Sequence, residues 1–577
     1  MKNGTVWKIC ADVLKRNFLR VIGLIALCVL GAILPCVSPL IYREIVDELI
    51  PQKNMNAMYM YILVMIAIPI LTSVVLNMRN VCAFQVSDRI TITLRKSLFQ
   101  KILDLQNGEL SRFGVSTLVY RITRSCGEVG SVFLNGVIIS LVNAVFTLIM
   151  VLTPMCLLAY RLAIMVFLAF PIVYVLLNAI KKRVYIKDKA LMDVLMEGER
   201  LIYESMGGIR AIKLFGGQRK HNAILDGWLG KHTDAKLDST KIHEFERVTL
   251  PELCMQVLYG MIFLYGAYLV MQDAMSIGTL VAFVAYIPRA LSSIKELLSL
   301  QMTFKSVEPV VGSLEEVLDA ECEKQGELPV KSGSGDIVFE NVGFAYDGGS
   351  GFGLTGMDFK IAGGEAVALV GETGSGKSTI LDLLLRFYEP DSGRILLDGR
   401  NIQEYDLDSY RAQFSVVQQL HYLWGGTLKS NVIYPDEEAD EQAYTSAIKR
   451  AQLQALEAAL PQGEATVIGE CGQAVSGGER QRIGVANALY RNGDILILDE
   501  PTASLDAHTA AMLKNVFLEQ KGKKTIITVT HSLSTIMQYD RVIVLKEGRI
   551  IEEGSPCELI GQESKFREMC IEQGMVI

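Results

Sequence analysis

The chain has 577 residues, of which 50% are hydrophobic and 21% charged. That mixture is too apolar for a disordered polymer and too charged for a bare membrane bundle, so it averages two unlike regions. Lys+Arg 56 against Asp+Glu 63 leaves a net charge of −7, which carries no electrostatic footprint of nucleic-acid binding. The 11 cysteines stand singly without a C-x-x-C pair, which excludes the common zinc and redox patterns and a disulfide framework, and the six histidines are scattered.

Apolar runs lie at about 19–41, 58–79, 130–155, 162–180, 248–272 and 277–302. Each approaches or exceeds the ~20 residues that cross ~30 Å of hydrocarbon as a helix, so six spans are expected. The first run follows Lys8, Lys15, Arg16 and Arg20, but it is too long for a signal-peptide core and further spans come after it. It reads as a retained helix. The connection at about 81–129 holds Arg89, Arg95, Lys96, Lys101, Arg112, Arg121 and Arg124, and that at 181–247 opens with Lys181-Lys182-Arg183. The opposite connections offer only Arg43 with Lys53, and Arg161. Positive charge marks the cytoplasmic side, so both long connections and both termini are assigned to the cytosol of a cytoplasmic membrane. Helical spacing of apolar residues and missing prolines predict that these connections extend the spanning helices.

Within the sixth run, at 1.5 Å per residue from Ser276, Arg289 lies about 20 Å deep and Lys295 about 28 Å. Lys295 can snorkel to the inner interface. Arg289 is a candidate cavity-facing charge for an anionic or polar substrate, the alternative being a charge on the helix's cytosolic extension or one paired internally. Met55, Met58, Met60 and Met65 read as packing and lipid contact.

The composition changes near residue 305. Glu315, Glu316, Asp319, Glu321, Glu323 and Glu327, then Lys331-Ser-Gly-Ser-Gly335, read as a helix end and flexible linker. The expected division is a membrane domain at 1–305, a linker at 306–335 and an α/β domain at 336–577. In that last part Gly371-Glu372-Thr373-Gly374-Ser375-Gly376-Lys377-Ser378-Thr379 matches G-x-x-x-x-G-K-[ST]. A hydrophobic strand, Ala366 to Val370, precedes it and a helix follows, the context in which backbone N–H groups cradle phosphates. Lys377 is then placed for the β/γ-phosphates and the Ser378 hydroxyl for Mg²⁺. A second buried-strand pattern, Asp494 to Leu498, ends in Asp499-Glu500. Asp499 suits Mg²⁺, and Glu500 suits polarisation of the attacking water as general base. A third strand, Thr525 to Thr530, runs into His531, a candidate γ-phosphate contact.

With Val475-Ser476-Gly477-Gly478-Glu479 and Arg480-Gln-Arg482 ahead of Asp499-Glu500, the chain resembles an ABC transporter of the exporter type, a half-transporter with fused membrane and ATPase domains. Tyr346 matches the adenine-stacking aromatic, Gln419 the Q-loop glutamine and Mg²⁺ contact, and Ser504-Leu-Asp506 the D-loop. Gly469-Glu-Cys-Gly472 resembles the exporter-specific loop, while Phe113 to Ser125 and Glu204 to Phe215 follow the two cytosolic-loop patterns. The resemblance implies a six-span α-helical membrane domain followed by an α/β P-loop ATPase, with ATP and Mg²⁺ as cofactors. It also implies a second half-transporter as partner, whose bound γ-phosphate meets Ser476, Gly477, Gly478 and Glu479. Val475 and Glu479 depart from Leu and Gln, Gln418 from Pro, Trp424 from Phe, and Cys471 and Asn487 from Arg. The function expected is ATP-driven export or flipping of a small molecule, lipid or peptide across the bilayer. A siderophore importer of the same fold, or one subunit of a heterodimer, is the alternative. A soluble ABC ATPase is disfavoured by the spans, and a processing peptide exporter by the short segment ahead of the first run.

Overall fold

A computed structural model of the protein describes residues 4–330, 333–346, 353–469, 475–502 and 505–575. The chain divides into two compact units, Met1–Lys101 with Ser116–Asp319, and Ile102–Val115 with Ala320–Ile577.

The first unit is helical. Phe18–Glu44, Met55–Leu103, Ser140–Gly207, Gln218–Glu244, Leu250–Met271 and Ile277–Leu318 are its long helices. The 49 residues of Met55–Leu103 rise about 74 Å, more than twice the hydrocarbon thickness, so the basic connection is a helical extension as the spacing predicts. Among the described residues, five helices are long and apolar enough to cross a membrane. The run at 162–180 belongs to the Ser140–Gly207 helix, beyond a non-helical residue at Ala159 (φ −153°, ψ 77°), and several of its side chains lie outside the described set. Leu63, Ile66 and Leu71 are at least half exposed, the reverse of a soluble helix. Charge-free faces of this kind are stable only against lipid. The interior is built by Phe283, Tyr286 and Ile287 against Val151, Met155, Leu162 and Ile262, all buried. The buried Tyr286 hydroxyl donates to the Cys36 carbonyl at 2.6 Å.

No helix break accompanies the change in composition near 305. The Ile277–Leu318 helix continues because Val307, Val311, Leu314 and Val317 recur at helical spacing and are all buried. The division between the units falls after Asp319 instead.

In the second unit a six-stranded sheet has the order Arg549–Gly554, Arg541–Lys546, Ala366–Gly371, Thr525–Val529, Ile495–Asp499, Phe414–Val417. Its inner strands are parallel and continuously buried, which requires cover on both faces and explains their unbroken Val/Ile/Leu pattern. An antiparallel sheet carries Ile337–Ala345 between Gly353–Ile361 and Ser392–Leu397. The short Asn107–Phe113 helix also belongs to this unit. Its lead-in bridges the chain near Cys322, with Glu323 N–H donating to Asp104 O at 2.8 Å and Gln106 N–H to Glu321 O at 3.3 Å. Arg411 then grips the Glu323 carboxylate with two bonds of 2.7 and 2.9 Å while lying over the Phe387 ring.

Buried Gly198 shows where the Ser140–Gly207 and Gln218–Glu244 helices meet. The Trp228 indole packs against it so closely that an added Cβ would stand 2.1 Å from ring carbons, and the indole N–H donates to Val194 O at 2.8 Å. Gly198→Ala should therefore push Trp228 aside and cost about 1–3 kcal/mol. The check is the apparent Tm in detergent and the rate of proteolysis between residues 190 and 240; unchanged values for both would refute the contact.

Candidate active site

Strand register assembles the site. Val529 pairs with both Leu369 and Asp499, Leu498 with Val417, and Leu545 with Gly371. Four strand ends are thereby brought level, and the loops leaving them carry the chemistry. A cavity of about 510 Å³ opens there, lined by Thr373, Gly374, Gly376, Lys377, Ser378, Thr379, Gln419, Asp499, Glu500, Val529 and His531.

The glycines answer geometric demands. A Cβ on Gly371 would lie 2.3 Å from the Leu545 carbonyl oxygen, and Gly376 adopts φ 107° as it opens the Lys377–Leu384 helix. Lys377 is 6% exposed and donates its ammonium protons to Gly371 O at 2.9 Å and Glu372 O at 2.8 Å. Burial lowers its pKa, against the opposing pull of Glu500 and Asp499.

Glu500 turns away from its strand in a left-handed backbone (φ 47°), held by its N–H to Val529 O at 2.9 Å. Its two carboxylate oxygens are shared between neighbours. Gln419 Nε2 donates to one at 2.8 Å, and His531 Nε2 lies 3.3 Å from the other. Beside it Asp499 has a raised pKa, first from burial and then from Glu500. These groups form one polar cluster on the cleft wall, and the charge of Lys377 acts on both carboxylates.

Other predicted residues lie elsewhere. Tyr346 does not line the cleft; it packs edge-on against Phe344 and Tyr388, and its hydroxyl lies 3.2 Å from the Thr379 hydroxyl. Glu372 and Ser375 are not among the residues lining the cavity, Glu372 being exposed and Ser375 buried. Ser476 caps the Gly477–Arg491 helix, receiving Glu479 N–H at 3.3 Å while its own N–H donates to the Glu479 carboxylate at 2.7 Å. This capping box accepts Glu or Gln equally at its third position, which accounts for the departure at 479. Ser476 and Gly477 are exposed and stand outside this chain's own cleft. Asp506 caps the Ala507–Leu518 helix through His508 and Thr509 N–H groups and likewise does not line the cleft. Ser504 and the segment Glu470 to Gly472 lie outside the described residues.

Three further departures have local reasons. Val475 packs on the same core a leucine would reach. Asn487 donates its amide to three carbonyls, Asn431, Val432 and Tyr434, at the end of the Leu428–Ile433 helix, a task otherwise suited to a basic side chain. Trp424 stacks on Tyr434 with ring centroids 5.1 Å apart.

Two profiles cover most of the chain: "ABC transporter transmembrane region" matches residues 21–293, and "ABC transporter" matches 354–503. An ATP-dependent lipid A-core flippase of Haemophilus ducreyi is 31% identical over 515 residues, 88% of each chain. This chain belongs to the ABC transporter family. A second such flippase, from Haemophilus influenzae, is 30% identical over 92% of this chain and 91% of its own. A putative ABC transporter ATP-binding protein, exp8 of Streptococcus pneumoniae, is 29% identical over 96% of both. The solved structure of a bacterial Atm1-family ABC exporter with ATP bound superposes with TM-score 0.85 at 25% identity, over 98% of this chain and 99% of that one. The transporter is a multi-pass membrane protein and an ATP-driven exporter whose α/β unit binds ATP.

One polar group of the ABC transporter's cleft region gives no motif signal. Asp382 lies within the apolar helix after the P-loop, and its carboxyl is pushed up to about 6, first by burial and then by Asp499. A folded-state pKa above the ordinary 3.8 means stability falls as pH rises from about 4 to about 6, and the deficit is complete above that. Asp382→Asn should raise stability by about 2 kcal/mol at pH 8, with the gap about halved at pH 5. Thermal unfolding of the full chain at both pH values checks this; a gap independent of pH would refute it.

Proposed function

We propose that the transporter exports or flips an amphiphile with an anionic headgroup, across the cytoplasmic membrane and away from the cytosol. The observation that carries this reading is a cavity of about 280 Å³ within the spanning helices, lined by Arg79 and Arg289 together with Thr72, Asn143, Thr147 and apolar Gly31 and Leu76. Two guanidinium groups at one membrane-depth cavity are costly unless they serve a charged cargo or a partner. Arg289 is anchored from one side: Pro39 lacks an N–H, so the Pro35 carbonyl one turn earlier has no helical donor, and Arg289 Nη1 supplies it. Asn143 is fixed by its bond to Glu296 at 3.2 Å. The lining thus joins charge for a headgroup with small apolar residues for chains. Two of the relatives above are named as lipid A-core flippases, which supports a lipid as cargo.

The energy source follows from the cleft. Glu500, oriented by Gln419 and His531, accepts a proton from the attacking water. Lys377 would exchange the Gly371 and Glu372 carbonyls for β/γ-phosphate oxygens, which are stronger acceptors. Ser378, Asp499 and Gln419 would hold Mg²⁺, which neutralises phosphate charge when bound. They fit it as oxygen donors: the Gln419 nitrogen is committed to Glu500, leaving its amide oxygen. Tyr346, outside the phosphate cavity but with its hydroxyl 3.2 Å from that of Thr379 on the cavity wall, is the aromatic group placed for adenine. The helix start at Ser476 to Glu479, exposed and away from this chain's own cleft, serves the nucleotide of a second half-transporter, so the working unit is a dimer with Asp506 near that junction. Both termini and the ATPase units lie in the cytosol.

Glu500→Gln should lower ATPase turnover by at least about 100-fold while ATP binding persists. Near-normal phosphate release would sink the base assignment. Arg79→Gln should raise by about tenfold the concentration of a phosphorylated lipid that stimulates ATPase, with basal turnover unchanged. An unchanged stimulation curve would remove the anionic-cargo reading and leave the ATP chemistry standing.

A further inference from the structure

A second membrane-related recess lies at the N-terminal helix. The helix Thr5–Arg16 buries Val6, Cys10 and Val13 against its own unit and turns Lys8, Lys15 and Arg16 outward. Between it and the helix Met55–Leu103 is a groove of about 510 Å³. Asp12, Arg16 and Arg89 line it along with apolar Val13 and Ile92.

The groove's depth can be placed from its neighbours. Arg89 donates to the side-chain oxygen of Asn17 at 3.0 Å, which sets it level with the residue joining the first helix to the first span. Immediately beyond, Phe18 is 62% exposed and Leu19 82% exposed, the beginning of a lipid-facing surface. Arg89 is ten residues beyond Arg79 on one helix, about 15 Å further along it, so the groove is distinct from the cargo cavity. Two arginines and one aspartate face this boundary, and no ion pair joins Asp12 to Arg16 or Arg89 among the described residues. A ligand that suits them carries a phosphate, a nearby ammonium and a hydrocarbon chain.

We propose that this groove binds the headgroup of an inner-leaflet phospholipid bearing a primary amine, with the phosphate on Arg16 and Arg89 and the ammonium on Asp12. The chain then lies along Val13, Ile92 and the exposed face at Phe18. Phosphatidylethanolamine has this chemistry. Phosphatidylglycerol lacks the amine, and the quaternary ammonium of phosphatidylcholine cannot donate a hydrogen bond. A lipid held here ties the N-terminal helix to the Met55–Leu103 helix and sets the resting position of the first span.

The test uses full-length transporter in phosphatidylcholine nanodiscs containing equal mole fractions of phosphatidylethanolamine and phosphatidylglycerol, with retained lipids counted by mass spectrometry after detergent extraction. Phosphatidylethanolamine should be retained over phosphatidylglycerol. Arg16→Gln and Arg89→Gln should each lower its retention about fivefold, the value of one basic residue near a lipid surface. Asp12→Asn should abolish the preference between the two lipids. Arg89→Lys, which keeps the charge, should retain more lipid than Arg89→Gln, separating recognition from folding; equal losses overturn the proposal. It is also overturned if the Arg16→Gln/Arg89→Gln double variant retains lipid like the parent, or if the parent holds both lipids alike. Displacement of the lipid by millimolar inorganic phosphate would identify an anion site instead and overturn it equally.

Discussion

Four parallel strand ends, at Val417, Asp499, Val529 and Gly371, are held level by one hydrogen-bonded register, and the nucleotide cleft hangs from it. Strand side chains alternate faces, so a slip of one residue would send Asp499 to the opposite side of the sheet. The register is protected by what the strands bury. Ala366 to Val370 and Thr525 to Val529 are covered on both faces, and moving either would expose a row of aliphatic side chains. Catalytic geometry is therefore stabilised by hydrophobic burial far more than by bonds among the catalytic groups themselves.

Polar groups are satisfied economically in both units. In the ATPase unit, capping determines which substitutions are tolerated. Glu479 closes a box with Ser476, and Asn487 collects three carbonyls at a helix end. Each keeps the backbone pattern of its neighbourhood while changing the side chain, so an altered signature leaves the helix start intact. In the membrane unit the same rule acts through proline. Pro39 removes one helical donor, and Arg289 answers the freed carbonyl, so a residue that is costly in hydrocarbon is fixed by another residue's missing N–H.

The Asn107–Phe113 helix and the segment at Glu321 to Glu323 connect parts of the chain far apart in sequence. Their backbone bridge at Leu105 and Cys322, with the Arg411–Glu323 pair beside it, makes the segment after the Met55–Leu103 helix a structural member of the ATPase unit.

Local chemistry made much of this legible in sequence. The glycine spacing of 371–379 admits few uses, the run from Asp494 to Glu500 reads as a buried strand ending in carboxylates, and long charge-free runs read as spans because hydrocarbon tolerates little else. The periodicity of Val307, Val311, Leu314 and Val317 was equally available, though acidic residues around it suggested a linker. Other features exist only in three dimensions. Arg79 is unremarkable until folding sets it in one cavity with Arg289, and Asp382 is one acid in an apolar helix until burial and Asp499 raise its pKa. Glu500 acquires its two partners from strands and loops 81 and 31 residues away. Sequence by itself determined the elements and the residue types because these depend on short-range sterics and periodic burial. Tertiary structure decided which charges meet, because Coulomb and desolvation energies depend on distance and environment that only packing creates.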